Sequence, residues 1–197
     1  MTAKRHIHNG NMLAWIQDNP DGALKEYRLA LELDPTLATA HLSIGQLHFH
    51  AEPPRTEEAI TAFRNAVRLE PKWSEAHYWL GLGLAQKKKY SEAIQEHHEA
   101  IALSEEEDER LFISLGRCFF KDGQYRQAVK AYQEGIRIAG RVDADYSLML
   151  ADALLANKQI KLACTEWKRA LASRSRYGDE DEIVEKANRM IATHCRG

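Results

Sequence analysis

Apolar side chains recur every three or four positions along most of this chain, which is the spacing of one face of an α-helix. A clear stretch carries Ile60, Phe63 and Val67 on one side, with polar residues between them. Short polar turns separate such stretches, for example at residues 87–89 and 121–124. The pattern therefore predicts an all-α chain built from helix–turn–helix hairpins.

The same hairpin recurs with a period of about 35 residues. The alanines that mark it are Ala23, Ala59, Ala93, Ala128 and Ala163. Four positions after each alanine comes a ring: Tyr27, Phe63, His97, Tyr132 and Trp167. The preceding helix carries a small residue at a matching position: Gly10, Gly45, Gly81, Gly116 and Ala151. Small residues let the two helices of a hairpin approach closely, and we expect the rings to fill the space between one hairpin and the next.

In these columns the chain resembles the tetratricopeptide repeat family. The strongest matches are residues 77–81 with Tyr90 and Ala93, and Gly116 with Ala128. The resemblance implies a right-handed α-solenoid of five repeats and a C-terminal capping helix. The repeats are expected at 3–37, 38–73, 74–108, 109–143 and 144–178, and the capping helix at 179–195.

Several residues predict where helices begin and end. Pro35 and Pro71 follow acidic residues at two repeat boundaries, where proline cannot continue a helix. At the third boundary Ser104 and Glu107 form a capping-box pattern, which predicts a new helix beginning after Ser104. Acidic residues at 179–182 suit the positive N-terminal end of the closing helix.

Overall charge and hydropathy exclude some functional classes. The net charge is −2 and the pI is near 6.5, so nucleic acid is an unlikely partner for the chain as a whole. The sequence shows no signal-peptide pattern and no apolar run of about 20 residues, so we expect no membrane insertion. A cytoplasmic location is the expectation.

Candidate catalytic and metal-binding residues do not form a recognisable set. Cys118 and Cys164 fall within helical patterns and are interpreted as buried thiols, and Cys195 stands apart from both. Histidines such as His6 and His77 share a column, but stacked hairpins lie about 10 Å apart, too far for one metal ion. Packing is the favoured interpretation of these histidines. The sequence therefore predicts a non-enzymatic protein without metal or cofactor.

The resemblance implies that the first helix of each repeat lines a concave groove where a partner binds. Arg110, Arg117 and Lys121 lie seven and four positions apart, so they share one helical face. A cationic face of this kind suits a carboxylate or phosphate on a partner. The alternative is a solvated face on which these residues pair with Asp145 and Asp152 of the next repeat.

Aromatic and amide side chains complete the predicted groove. Phe49, Tyr78 and Trp79 offer aromatic area, which is typical of binding anchors, and Gln46 and Asn11 are polar groove positions. For Trp79 the alternative is packing between repeats.

The leading hypothesis is a scaffold or adaptor that holds a peptide segment with acidic and apolar residues. A second hypothesis is self-assembly into a homo-oligomer, with Ile7, Met12 and Trp15 as an open hydrophobic end. A third is RNA or nucleotide binding through the basic fourth and fifth repeats, where residues 110–178 hold 13 Lys and Arg against 6 Asp and Glu.

Overall fold

The computed structural model describes residues 2–141, 143–174 and 182–195, and within these residues the regular structure is entirely α-helical. The chain divides into two compact units, Met1–Leu103 (unit 1) and Ser104–Gly197 (unit 2). The helices of unit 1 are α1 (Ala3–Trp15), α2 (Pro20–Leu33), α3 (Ala38–His50), α4 (Thr56–Leu69), α5 (Ser74–Gln86) and α6 (Tyr90–Leu103). Those of unit 2 are α7 (Glu109–Lys121), α8 (Tyr125–Ala139), α9 (Ala144–Ala156), α10 (Ile160–Arg174) and α11 (Glu182–His194). The all-α prediction is confirmed.

Consecutive helices pair into hairpins, and the hairpins of each unit stack. In unit 1 the pairs are α1–α2, α3–α4 and α5–α6, with α2 packed on α3 and α4 on α5. In unit 2 the pairs are α7–α8 and α9–α10, with α8 packed on α9 and α11 on α10. The alanines and rings of the repeated columns are buried, so each unit's core lies between the helices of a hairpin and between neighbouring hairpins.

In the first four hairpins the ring lies over the glycine of the same hairpin, and the fifth hairpin has Ala151 in place of glycine. A Cβ atom added at Gly116 would lie 2.6 Å from Cδ1 of Tyr132, and one at Gly45 would overlap the ring of Phe63. The expectation that the rings fill the space between hairpins is therefore incomplete: Phe63 does stack on Trp79 of the next hairpin, but the rings also fill the space beside the glycines of their own hairpins. Glycine is needed because it leaves room for a ring, in addition to letting the helix backbones approach.

The C-terminal ends of two helices agree with the positions of the prolines, whereas the first residue of one helix differs from the sequence prediction. Helix α2 ends at Leu33 and α4 at Leu69, each just before a proline-containing turn. Helix α7 begins at Glu109, where the Asp108 carboxylate accepts a hydrogen bond of 2.8 Å from the backbone N–H of Arg110. The predicted capping box is therefore wrong. An aspartate next to the helix competes better for the free N–H groups than a serine four residues earlier.

Cys164 forms a disulfide with Cys195, which corrects its interpretation as a buried free thiol. The two Cα atoms are 5.9 Å apart, within the range that a disulfide requires. The bond joins α10 to the residue that follows α11. Cys118 is a buried free thiol, as expected, and burial raises its pKa to about 12.

Helix α11 packs on the last hairpin as a first helix of a further repeat would. Ala187 is fully buried and continues the series of small residues after Gly116 and Ala151. The ring of His194 stacks on Trp167 with centroids 6.0 Å apart, and Lys186 pairs with Asp152 of α9. Residues 179–181, the predicted acidic start of this helix, lie outside the described residues.

Candidate functional site

All the predicted groove residues lie on first helices of hairpins, but they belong to different units. The first-helix face of unit 1 (α1, α3 and α5) carries Asn11, Gln46, Phe49, Tyr78 and Trp79. The first-helix face of unit 2 (α7 and α9) carries Arg110, Arg117 and Lys121. The chain thus has two candidate surfaces, one aromatic and one basic.

An aromatic cluster on unit 1 consists of Phe49, His50, Phe63, Tyr78 and Trp79. The ring of Trp79 contacts Phe49 and His50 edge-on, with centroids 5.7 Å apart in both cases. It also stacks on Phe63 at 5.9 Å, so α5 is joined to α3 and α4 through this indole. Trp79 therefore packs between hairpins, as the alternative interpretation held. It also stays half-buried, so one side of the cluster faces solvent.

Polar groups beside this cluster have partners within the protein. The indole N–H of Trp79 donates a 2.7 Å hydrogen bond to Oε1 of Glu75. The hydroxyl of Tyr27 donates to Oδ1 of Asn11 at 2.7 Å, so this predicted contact residue also anchors a buried ring. Gln46 lies half-buried on α3, one turn before Phe49. The surface combines aromatic area with amide and carboxylate groups, which suits apolar side chains with a few hydrogen-bonding groups.

The basic residues of unit 2 differ in their surroundings. The guanidinium of Arg110 donates to both carboxylate oxygens of Asp108, at 2.7 to 3.1 Å. Partial burial of Asp108 opposes ionisation, but the hydrogen bonds from Arg110 outweigh it and lower the pKa of the carboxyl. Arg117 and Lys121 are exposed, and among the described residues no carboxylate lies within ion-pair distance of either. These two cations are therefore the ones available to a partner.

Pairing of this basic face with Asp152 does not occur, because Asp152 binds Lys186 of α11 at 2.5 Å. Asp145 is exposed at the start of α9, next to the helix cap formed by Asp143. The acidic partners considered from the sequence thus leave Arg117 and Lys121 unpaired within the described residues.

A cavity of about 530 Å³ in unit 1 was not found by sequence reasoning. Trp15 and His50 form one side, with ring centroids 5.9 Å apart, and His48 and Arg55 also line the cavity. Burial, together with the nearby positive charge of Arg55, lowers the pKa of His48. The sequence did contain a signal for this cavity: Trp15 and His50 are the last residues of α1 and α3, so they occupy matching positions in adjacent hairpins.

Two histidines of the shared column are held by carboxylates. Nδ1–H of His6 donates to Glu26, and Nδ1–H of His77 donates to Glu96, each at 2.7 Å. Both rings are buried between the helices of their own hairpins, which agrees with the packing interpretation. Within the part of the chain that the structure describes, His, Cys, Asp and Glu side chains nowhere gather in a group of three that could hold a metal ion.

His97 occupies the ring position of the third hairpin and is completely buried. Neither of its ring nitrogens has a hydrogen-bond partner among the described residues. Burial, with a smaller contribution from His98, lowers its pKa from 6.5 to about 4. The ring is therefore neutral near pH 7 and acts as an aromatic packing group, not as an exposed acid or base.

The described helices match a known repeat family. A model of the tetratricopeptide repeat matches residues 55–107 and 113–179. Anaphase-promoting complex subunit 3 of the fission yeast Schizosaccharomyces pombe is 26% identical over 124 residues. That match covers 62% of this chain but only 18% of the yeast protein, so the chain spans a small part of its relative's length.

Solved structures share the fold along most of the chain. A crystal structure of MamA has a TM-score of 0.76 at 23% identity and covers 85% of this chain and 95% of its own. YrrB, described as a TPR protein with an unusual peptide-binding site, has a TM-score of 0.77 at 21% identity, with coverage of 93% and 90%. PilW, a type IV pilus biogenesis factor, has a TM-score of 0.82 at 18% identity, with coverage of 96% and 86%. At these identities the likeness concerns the fold alone.

Proposed function

The chain belongs to the tetratricopeptide repeat family, and from this premise we propose that it is a non-enzymatic scaffold holding a segment of a partner protein on its first-helix faces. The observation that carries the proposal is the partly exposed aromatic cluster around Trp79, whose ring centroid lies 5.7 Å from that of Phe49. Aromatic side chains fixed by their neighbours lose little freedom on binding, which makes them favourable anchors. The peptide-binding description of YrrB supports the same kind of activity.

The two faces favour different parts of a partner. On unit 1 the cluster suits apolar side chains, because its packed rings offer partly exposed aromatic area. On unit 2 the exposed cations Arg117 and Lys121 suit acidic side chains through charge-assisted hydrogen bonds. A segment with separate apolar and acidic residues fits these properties best.

Peptide arrays that vary apolar and acidic content test the proposal with matched variants. Arg117→Ala/Lys121→Ala is expected to weaken capture of acidic peptides about tenfold or more, at roughly 1.5–3 kcal/mol per charged hydrogen bond. Arg126→Ala is its control, because Arg126 is equally exposed but lies on a second helix, α8. Unchanged capture of acidic peptides by the double variant would overturn the assignment of unit 2.

The aromatic surface needs a variant that keeps the core packing. Gln46→Arg places a charge beside Phe49 without removing a ring, and it is expected to reduce capture of apolar peptides. Trp73→Leu serves as the control for a half-buried aromatic that lies directly before the first residue of α5 and makes no side-chain capping hydrogen bond. If Gln46→Arg captures apolar peptides as the wild type does, the first-helix face of unit 1 is not the binding surface.

Self-assembly is the second candidate function, and exposed apolar residues of the first hairpin favour it. Met12, Trp15 and Ile16 are 36%, 53% and 71% exposed, and they are clustered at the end of α1. A second copy of the chain covering this end would remove them from water. A molecular mass that stays monomeric from micromolar to high concentration would exclude this function.

The Cys164–Cys195 disulfide bears on the cellular location of the protein. Every helix in the described part of the chain is too short or too polar to span a bilayer. Disulfides persist in oxidising compartments and are rare in the cytosol. The Cys164–Cys195 bond therefore argues against the cytoplasmic expectation, and thiol labelling of the native protein in its cell decides the matter.

A further inference from the structure

A second surface of unit 2 is distinct from its first-helix face. It lies where the second helices α8 and α10 begin, and we call it the turn edge of unit 2. Its residues are Tyr125, Arg126, Lys158, Ile160, Lys161 and Leu162. None of them belongs to the proposed peptide-binding faces.

The turn edge exposes large apolar side chains. Tyr125, Ile160 and Leu162 are 37%, 45% and 50% exposed. Tyr125 and Ile160 are the first residues of α8 and α10 and hold matching positions in adjacent hairpins. Because α8 packs on α9, which pairs with α10, both residues lie on the same edge of the stack.

Cations surround these apolar groups. Arg126 and Lys161 follow Tyr125 and Ile160 directly, and Lys158 lies in the turn before α10. All three are exposed, and no carboxylate among the described residues forms an ion pair with them. The first turns of α8 and α10 contain no acidic residue, whereas the first turns of α2, α4 and α6 all do. The cations at the starts of α8 and α10 therefore have no acidic residue in the same helical turn, although Asp122 lies in the turn before α8.

We propose that the turn edge of unit 2 binds the surface of a bilayer that contains anionic lipids. Cations attract the phosphate headgroups, while Ile160 and Leu162 enter the boundary between headgroups and acyl chains. The exposed Ile160 and Leu162 favour this partner over a nucleic acid, because single strands are bound mainly by stacking bases on aromatic rings, of which this edge has Tyr125.

Sedimentation with vesicles tests the proposal directly. The full chain is expected to bind vesicles of phosphatidylcholine with phosphatidylglycerol, to bind pure phosphatidylcholine much less, and to release as salt increases. Arg126→Gln/Lys161→Gln is expected to weaken binding about 25-fold, at about fivefold for each cation. Ile160→Ser/Leu162→Ser is expected to weaken it about tenfold or more, because the buried aliphatic area is lost.

Matched variants separate this surface from the others. Leu33→Ser removes an aliphatic group that is 57% exposed on unit 1, and it should leave vesicle binding unchanged. Arg117→Ala should also bind vesicles normally while losing acidic peptides, so the two proposals can fail independently. Circular dichroism of each variant excludes loss of folding as the cause.

Three results would overturn the proposal. One is equal binding to vesicles with and without phosphatidylglycerol. Another is full binding by Ile160→Ser/Leu162→Ser, which would leave only a general attraction of charge. The third is the absence of vesicle binding together with salt-sensitive binding of single-stranded RNA, which would assign the same cations to a nucleic acid.

Discussion

Replacing His97 by phenylalanine is expected to stabilise the protein near pH 7. The ring of His97 is fully buried over Gly81, and its two nitrogens lack partners among the described residues. Phe63 occupies the matching position over Gly45, so a six-membered ring fits this place in a neighbouring hairpin. An unsatisfied buried polar group costs about 1–3 kcal/mol, and we expect a gain in the free energy of unfolding within that range.

The same substitution is expected to remove part of the acid sensitivity. Because the pKa of His97 falls from 6.5 to about 4 on folding, the unfolded chain binds more protons between these values. The contribution of His97 to stability is fully present above pH 6.5 and is lost as the pH falls toward 4. Between about pH 7 and about pH 4.5 this loss amounts to roughly 2 kcal/mol in the wild type. The variant His97→Phe lacks it.

Urea unfolding followed by far-ultraviolet circular dichroism at both pH values measures these quantities. His8→Phe is the control, because His8 is exposed on α1 and its replacement should change the free energy of unfolding by little. If His97→Phe loses as much stability on acidification as the wild type, the neutral buried histidine does not explain the acid sensitivity. A variant less stable than the wild type near pH 7 would show that the site is shaped for an imidazole.

Two further substitutions test the packing of unit 2. Gly116→Ala places a Cβ 2.6 Å from the ring of Tyr132, and despite a better helix propensity it is expected to lower the free energy of unfolding by about 1 kcal/mol or more in urea titrations. Cys195→Ser removes the bond to Cys164 across a separation of 31 residues. It is expected to cost about 3–4 kcal/mol and to speed amide hydrogen exchange in α11.

A specific result would contradict each of these two predictions. Arg117→Ala, at the exposed neighbour of Gly116, should change stability by less than about 0.5 kcal/mol, and an equal loss there would show that ring packing is not the cause. For the disulfide, reduction of the wild type should reproduce the behaviour of Cys195→Ser. Unchanged exchange in α11 after either treatment would mean that helix packing alone holds it.

Repetition explains why so much of the fold could be predicted from the sequence. The column of Gly116 is visible because the same steric demand recurs in four hairpins, and the ring that creates this demand recurs with it. Interactions that occur once leave no such signal. The cap by Asp108 and the bond between Cys164 and Cys195 are of this kind, and both were missed.

The candidate site was predictable to a smaller extent. Helical periodicity correctly placed Trp79 and Arg117 on first helices, because it fixes which side of a helix a residue occupies. Periodicity does not fix side-chain partners. The pairing of Arg110 with Asp108, and of Asn11 with Tyr27, depends on turn geometry and ring orientation that are known only from the folded chain.

The ring-over-glycine contact also bears on how a protein of this kind changes over evolutionary time. Gly116 is enclosed by Tyr132, while the next residue, Arg117, faces solvent. Hairpin packing and the recognition that we propose for Arg117 thus depend on adjacent but separate positions. Mutations at the exposed position meet little selection for folding, so a lineage can exchange one partner for another while its hairpins stay the same. This independence explains how a single architecture acquires many ligands by small steps.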